Sequence, residues 1–164
     1  MTKEADAFRV WLRLLRLGTR MRLAIDNRLK TLGLSGPQCD VLTTLTEQEG
    51  LNQQELAERL YVTKGNISGL IDRLAAAGLV ERRSIKGDRR TRSIFLTQNG
   101  RRLALEGIAL QRHFTKETLG RLSDSEIAKF EAVLVNLRDI VRVQTARDDK
   151  SNVPLDPQQD HGPH

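Results

Sequence analysis

Residues 52–100 read NQQELAERLYVTKGNISGLIDRLAAAGLVERRSIKGDRRTRSIFLTQNG, and the order of local signals in this stretch decides the fold. Asn52-Gln-Gln-Glu55 has the spacing of a capping box, in which the cap side chain and a Glu three residues on satisfy each other's backbone donors. It predicts a short helix to Leu60. Thr63 caps the next helix, which runs to about Ala77 and stops at Gly78, a residue suited to the left-handed end of a helix. Leu56, Ala57, Leu60, Val62, Ile67 and Leu70 have the apolar spacing that two steeply crossed helices need, with the small Ala57 at the crossing. Residues 79–84 and 91–96 read as strands, and Lys86-Gly87-Asp88 between them supplies the turn of a β-hairpin. Thr97 caps a further helix, from about Gln98 to Leu119, which Gly120 breaks.

Helix, turn, helix and basic hairpin form the arrangement of a winged helix-turn-helix. One helix enters the major groove of DNA and a neighbouring element braces it on the backbone. The charge supports this. Arg82, Arg83, Lys86, Arg89, Arg90 and Arg92 stand against Asp88 alone in eleven residues of a 164-residue chain whose formal net charge is +6. On a helical wheel Ile67, Leu70, Ile71 and Leu74 face a core, while Gly65, Gly69, Asp72 and Ala76 lie opposite, flanked by Asn66, Ser68 and Arg73. Each exposed glycine costs roughly 1 kcal/mol of helix stability relative to Ala. Both make sense where the backbone must approach a surface closely; the plainer reading is two weak spots on a solvated helix. Thr63, Lys64, Asn66 and Ser68 sit near the helix start, where backbone donors and the helix dipole favour phosphate. Asn66, Ser68 and Arg73 are the candidates for base edges. Asp72 is repelled by DNA and is expected to order an Arg of the hairpin. Tyr61 departs from the glycine often found in such a turn.

Outward from this core, residues 5–32 form a long helix. Phe8, Trp11, Leu12, Leu15 and Leu29 make one apolar side, Val10, Leu14, Leu17, Met21 and Ala24 a second, and Arg9, Arg13, Arg16, Arg20 and Asn27 the polar face. A helix apolar around most of its girth is expected to be embedded, by other elements or by a second subunit. Ser35-Gly-Pro-Gln38 opens a second helix with Val41, Leu42 and Leu45 inward. Ser123-Asp-Ser-Glu126 opens the last, to about Val143, where Ile127, Phe130, Leu134, Leu137 and Val141 step by three and four as a heptad seam. The alternative for that seam is a stripe of a single-subunit core. Residues 145–164, with three Pro and four Asp, are expected to be a disordered tail. The architecture is therefore mainly α with a small β-hairpin, in one domain over residues 5–144.

Several classes are excluded. A single cysteine cannot form an internal disulfide, and the three histidines, His113, His161 and His164, lack zinc-site spacing. No apolar run reaches membrane-span length and no signal-peptide pattern opens the chain, which points to the cytoplasm and, for a DNA binder, to the nucleoid. No phosphate loop, metal set or nucleophile–base pair suggests an enzyme, and no cofactor is implied.

The stretch 52–100 also resembles the DNA-binding core of the MarR family of bacterial transcriptional regulators. The family's wing pattern, D-x-R followed by five residues, L-T, two more and Gly, is met by Asp88, Arg90, Leu96, Thr97 and Gly100, in register with TKGNISGLIDRL and AGLVERR. The flanking helices extend the likeness to about residues 5–146. The resemblance implies a triangular homodimer with interlocked first and last helices, including Phe8 and Trp11, on pseudo-palindromic double-stranded DNA. It makes Arg90 the wing residue in the minor groove. Lys86, Arg89 and Arg92 of the basic hairpin are the further candidates for DNA contact, with Asp88 joining Asp72 in ordering the wing. It also implies a small effector, a phenolic or other aromatic carboxylate or an acyl thioester, that releases a repressor from its operator. Arg22 and Asp26, Cys39, and His113 are the candidate pocket residues. Their blander readings are an i,i+4 ion pair between Arg22 and Asp26, a core thiol and a packed or solvated histidine. Cys39 has no basic neighbour and Asp40 disfavours its thiolate, so a redox role is not expected. The competing function is a ligand-insensitive or architectural DNA-binding protein, distinguished by weak dependence on operator sequence.

Overall fold

The computed structural model describes residues 6–85 and 88–151, side chains excepted at 85–91 and 148–151. The helix α1 (Ala7–Leu29) starts at Asp6, whose carboxylate accepts the Phe8 N–H at 3.0 Å, and passes into a 3-10 turn over Lys30–Leu32. Ser35 and Gln38 close the expected capping box of α2 (Gly36–Glu47). Asn52 and Glu55 do the same for α3 (Gln53–Leu60), and Thr63 accepts the Asn66 N–H to cap α4 (Lys64–Ala76). The hairpin is β2 (Val80–Ile85) and β3 (Asp88–Leu96). A third strand, β1 (Leu51–Asn52), was not expected; it pairs antiparallel with β3, Leu51 opposite Ile94, giving the sheet order β1-β3-β2. Two residues are too short to carry any alternation in sequence.

The helix α5 (Gln98–Glu117) ends before Leu119, and Gly120 falls within a 3-10 turn over Leu119–Arg121. The last helix, α6 (Asp124–Ser151), continues past Val143, so residues 145–151 are helical rather than tail. No Pro or Gly interrupts the chain until Pro154, and the Thr145 hydroxyl bonds back to the Val141 carbonyl at 3.1 Å. The remainder of the expected tail, 152–164, lies outside the described residues.

The chain divides into two compact units between Lys116 and Glu117. In the first, Leu29, Val41, Leu42, Leu45, Leu56, Ile67, Ile71, Leu74 and Ile94 are fully buried around α2, α3, α4 and the sheet. Each such side chain contributes roughly 1.5–3 kcal/mol by leaving water. The expectation that α1 is embedded fails within the single chain: only Leu29 is buried, while Phe8, Val10, Trp11, Leu15 and Leu17 are exposed. Phe8 and Trp11 stack on each other at 5.7 Å instead. In the second unit the seam residues of α6, Ile127, Phe130, Leu134, Leu137 and Val141, are likewise exposed. Among the described residues no helix is long and apolar enough to cross a membrane.

One junction fixes the hairpin to the helices on either side. Gly78 closes α4 in the left-handed conformation, at φ 68°. The Thr97 N–H donates to the Leu79 carbonyl at 3.1 Å, and the Thr97 hydroxyl donates to the Gly78 carbonyl at 2.7 Å. The same hydroxyl accepts the Gly100 N–H at 3.0 Å. Gly100 lies so close that a Cβ there would sit 1.8 Å from the Leu79 carbonyl oxygen. The end of α4, the end of β3 and the start of α5 are thus fastened at one point.

Candidate nucleic-acid interface

The helix α4 has two faces of opposite character. Ile67, Leu70, Ile71 and Leu74 are buried, as the wheel predicts. Lys64, Gly65, Asn66, Asp72, Arg73 and Ala76 are exposed, and Ser68 and Gly69 partly so. A Cβ added at Gly65 would meet nothing within 4 Å, and one at Gly69 would only touch Arg73 Nη1 at 3.4 Å. Neither glycine is therefore needed to pack α4 against its own protein. The surface they leave is smooth backbone, flanked by the amide of Asn66, the hydroxyl of Ser68 and the guanidinium of Arg73. Such a set can donate to phosphates and accept from or donate to base edges.

The hairpin leans on this helix through charge. Asp72, on the exposed face of α4, forms an ion pair with Arg82 of β2. Arg83 pairs with Glu81 on its own strand and lies over the Phe95 ring, 4.7 Å from its centre. Of these two arginines, Arg82 ties the hairpin to α4, while Arg83 holds the two strands of the hairpin itself. Arg92 is exposed on β3, opposite Ser84. Lys86 and the side chains of Asp88, Arg89 and Arg90 lie outside the described residues.

Tyr61 stands where such turns often have glycine. It occupies the turn between α3 and α4 at φ 52° and ψ 42°, the left-handed region. Among the described residues it is the one non-glycine there, and it is 92 % exposed. The conformation costs a side chain about 1 kcal/mol relative to glycine. The turn itself is well closed, with the Val62 N–H donating to the Ala57 carbonyl at 3.0 Å.

The four candidate pocket residues do not gather around one cavity. Arg22 is exposed and forms no ion pair with Asp26; the Asp26 carboxylate instead accepts the Gly36 N–H at 2.8 Å, steadying the start of α2. A cavity of about 470 Å³ beside this contact is lined by Leu23, Asp26, Asn27, Lys30, Leu34 and Ser35, so Asp26 alone of the four borders it. Cys39 is fully buried and accepts a hydrogen bond from the Gln111 amide at 3.5 Å. Burial pushes its thiol pKa up; the Thr43 hydroxyl opposes this and the Asp40 charge adds to it, so the site disfavours the thiolate. The α5 backbone comes against this sulfur at Gly107, where a Cβ would stand 2.6 Å from Sγ. His113 is exposed on α5. Asp40 itself has its pKa raised by desolvation and then by the charge of Asp26, a coupling across two helices that sequence spacing does not reveal. Among the described residues no His, Cys, Asp or Glu cluster could hold a metal ion.

Comparison with known proteins bears on this geometry directly. The sequence model of the MarR family matches residues 32–91. An HTH-type transcriptional regulator of Bacillus cereus is 35 % identical over 114 residues, covering 67 % of this chain and 76 % of the relative. The HTH-type transcriptional regulator TtmR of Methylorubrum extorquens is 33 % identical over 121 residues, covering 74 % of this chain and 60 % of the relative. Among solved structures, CouR from Rhodococcus jostii RHA1, bound to p-coumaroyl-CoA, superposes with a TM-score of 0.73 at 28 % identity, over 82 % of this chain and 95 % of that one. The S. aureus MepR–DNA complex shares the fold with a TM-score of 0.73 at 23 % identity, over 82 % of this chain and 98 % of that one.

Proposed function

Since the chain belongs to the MarR family of transcriptional regulators, we propose that it acts as a homodimeric repressor that an effector releases from a pseudo-palindromic operator. The observation that carries the DNA contact is the exposed face of α4. Its two glycines meet no packing need within the protein, and it stands beside a hairpin dense in arginine. A protein backbone bare of side chains suits the floor of a major groove, and a basic wing suits the flanking phosphates. Thr63, Lys64, Gly65, Asn66, Ser68, Gly69 and Arg73 form the reading surface. Lys86, Arg89, Arg90 and Arg92 form the wing surface, with Asp72 and Asp88 ordering it. The exposed apolar residues of α1 and α6 supply the dimer contact, because a monomer would leave Phe8, Trp11, Phe130 and Leu134 in water. The effector class is an aromatic carboxylate or acyl thioester; CouR is bound to p-coumaroyl-CoA. Such a regulator works in the cytoplasm, on the nucleoid.

The test is Arg90→Ala, titrated against an operator selected from a random duplex pool. Binding several-fold weaker, with a shallower salt dependence, supports the wing contact. Unchanged binding removes Arg90 from the interface. Sedimentation of the unliganded protein at twice the chain mass supports the dimer, and a stable monomer refutes it. An aromatic acid or thioester that both raises the melting temperature and releases DNA identifies the effector class. The absence of any such compound leaves the ligand-insensitive reading in its place.

A further inference from the structure

We propose that Tyr61 is a DNA-anchoring residue, its phenol donating a hydrogen bond to a backbone phosphate beside the start of α4. The inference rests on the DNA-binding reading above and adds a contact that neither the wing pattern nor the helix wheel supplies. Tyr61 is the most exposed of the large apolar side chains described, and its phenol has no partner among the described residues. It keeps a side chain at a backbone conformation where glycine is free of strain. A residue that opposes local stability and has no polar partner among the described residues points to a contact outside them.

Position names the partner. Tyr61 precedes the Thr63 cap by two residues and Lys64 by three, at most about 10 Å of extended backbone. The phenol therefore stands at the rim of whatever surface receives the N-terminal end of α4. Around a helix seated in a groove, that rim is sugar–phosphate backbone. A phenol is a neutral donor on a stiff, two-torsion side chain, so it can fix a register on a phosphate without adding charge. That neutrality separates its signature from that of Lys64. A lysine on a phosphate releases counterions and steepens the salt dependence of binding; a tyrosine does not.

The experiment uses the full chain and an operator duplex of about 30 bp selected from the random pool, long enough for two half-sites. Binding is titrated at several salt concentrations for wild type, Tyr61→Phe, Tyr61→Gly and Lys64→Ala. The expected results are an affinity about tenfold lower for Tyr61→Phe with the salt slope unchanged, the scale of one hydrogen bond to a charged group. Lys64→Ala lowers the slope by about one per subunit. Tyr61→Gly loses the same affinity as Tyr61→Phe yet melts about 2 °C higher, because the strained turn is relieved. Wild-type affinity in Tyr61→Phe, with Lys64→Ala weakened, overturns the anchoring role and leaves the DNA reading intact. A changed salt slope in Tyr61→Phe overturns it as well. A wild-type chain that binds no duplex overturns the DNA reading, and this inference with it.

Discussion

Gly100 at the base of the hairpin and the pair Gly65 and Gly69 on α4 are the same residue type put to opposite uses. At Gly100 the backbone of Leu79 already fills the space that a Cβ would need. At Gly65 there is open space, and at Gly69 only the movable tip of Arg73. The first glycine is a condition of folding. The other two weaken a helix that would fold better without them. Packing requires glycine in one region and not in the other, and only the surrounding atoms tell the two apart.

The largest expected effect breaks the first half of that contrast. Gly100→Ala forces a methyl group onto a carbonyl oxygen held by Thr97, and should destabilise the protein by about 3 kcal/mol or more. The midpoint of urea unfolding measures this; a midpoint within error of wild type would show that the junction yields easily. Gly65→Ala and Gly69→Ala probe the second half. Each should raise the unfolding free energy by up to about 1 kcal/mol while weakening operator binding roughly tenfold, the scale of one lost base contact. Stabilised variants with undiminished operator affinity would make these glycines mere weak spots. The smallest effect on stability belongs to the tie between the two regions. Asp72→Ala removes an ion pair whose carboxylate is well exposed, so its cost in unfolding should stay under about 1 kcal/mol. Its operator affinity should still fall, because Arg82 no longer holds the hairpin to α4. Loss of stability without loss of affinity would reverse that assignment.

Local rules made much of this fold legible. The capping boxes at Ser35 and Asn52 and the Thr63 cap depend on residues three apart, so the sequence displays them directly. The buried face of α4 follows from helical periodicity alone. What escaped was set by distant neighbours. Gly100 belongs to a recognisable pattern, but its reason, the Leu79 carbonyl, lies two elements away. Asp26 was matched with Arg22 by i,i+4 spacing, whereas the free N–H of Gly36 on the next helix claims it. The strand β1 exists only because β3 offers it partners. The Asp-rich composition of residues 145–164 suggests disorder, yet residues 145–151 continue α6. Asp72, expected to meet an Arg of the hairpin, is ion-paired with Arg82 of β2.

The hydroxyl of Thr97 has a mechanical consequence. Because it holds the last carbonyl of the α4 turn while capping α5, α5 works as the shaft of a key whose bit is α4. Turning the shaft about its axis would pull on the bit through these bonds. A molecule that gripped α5 far from the glycine face would act on that face through the Thr97 joint, without touching it.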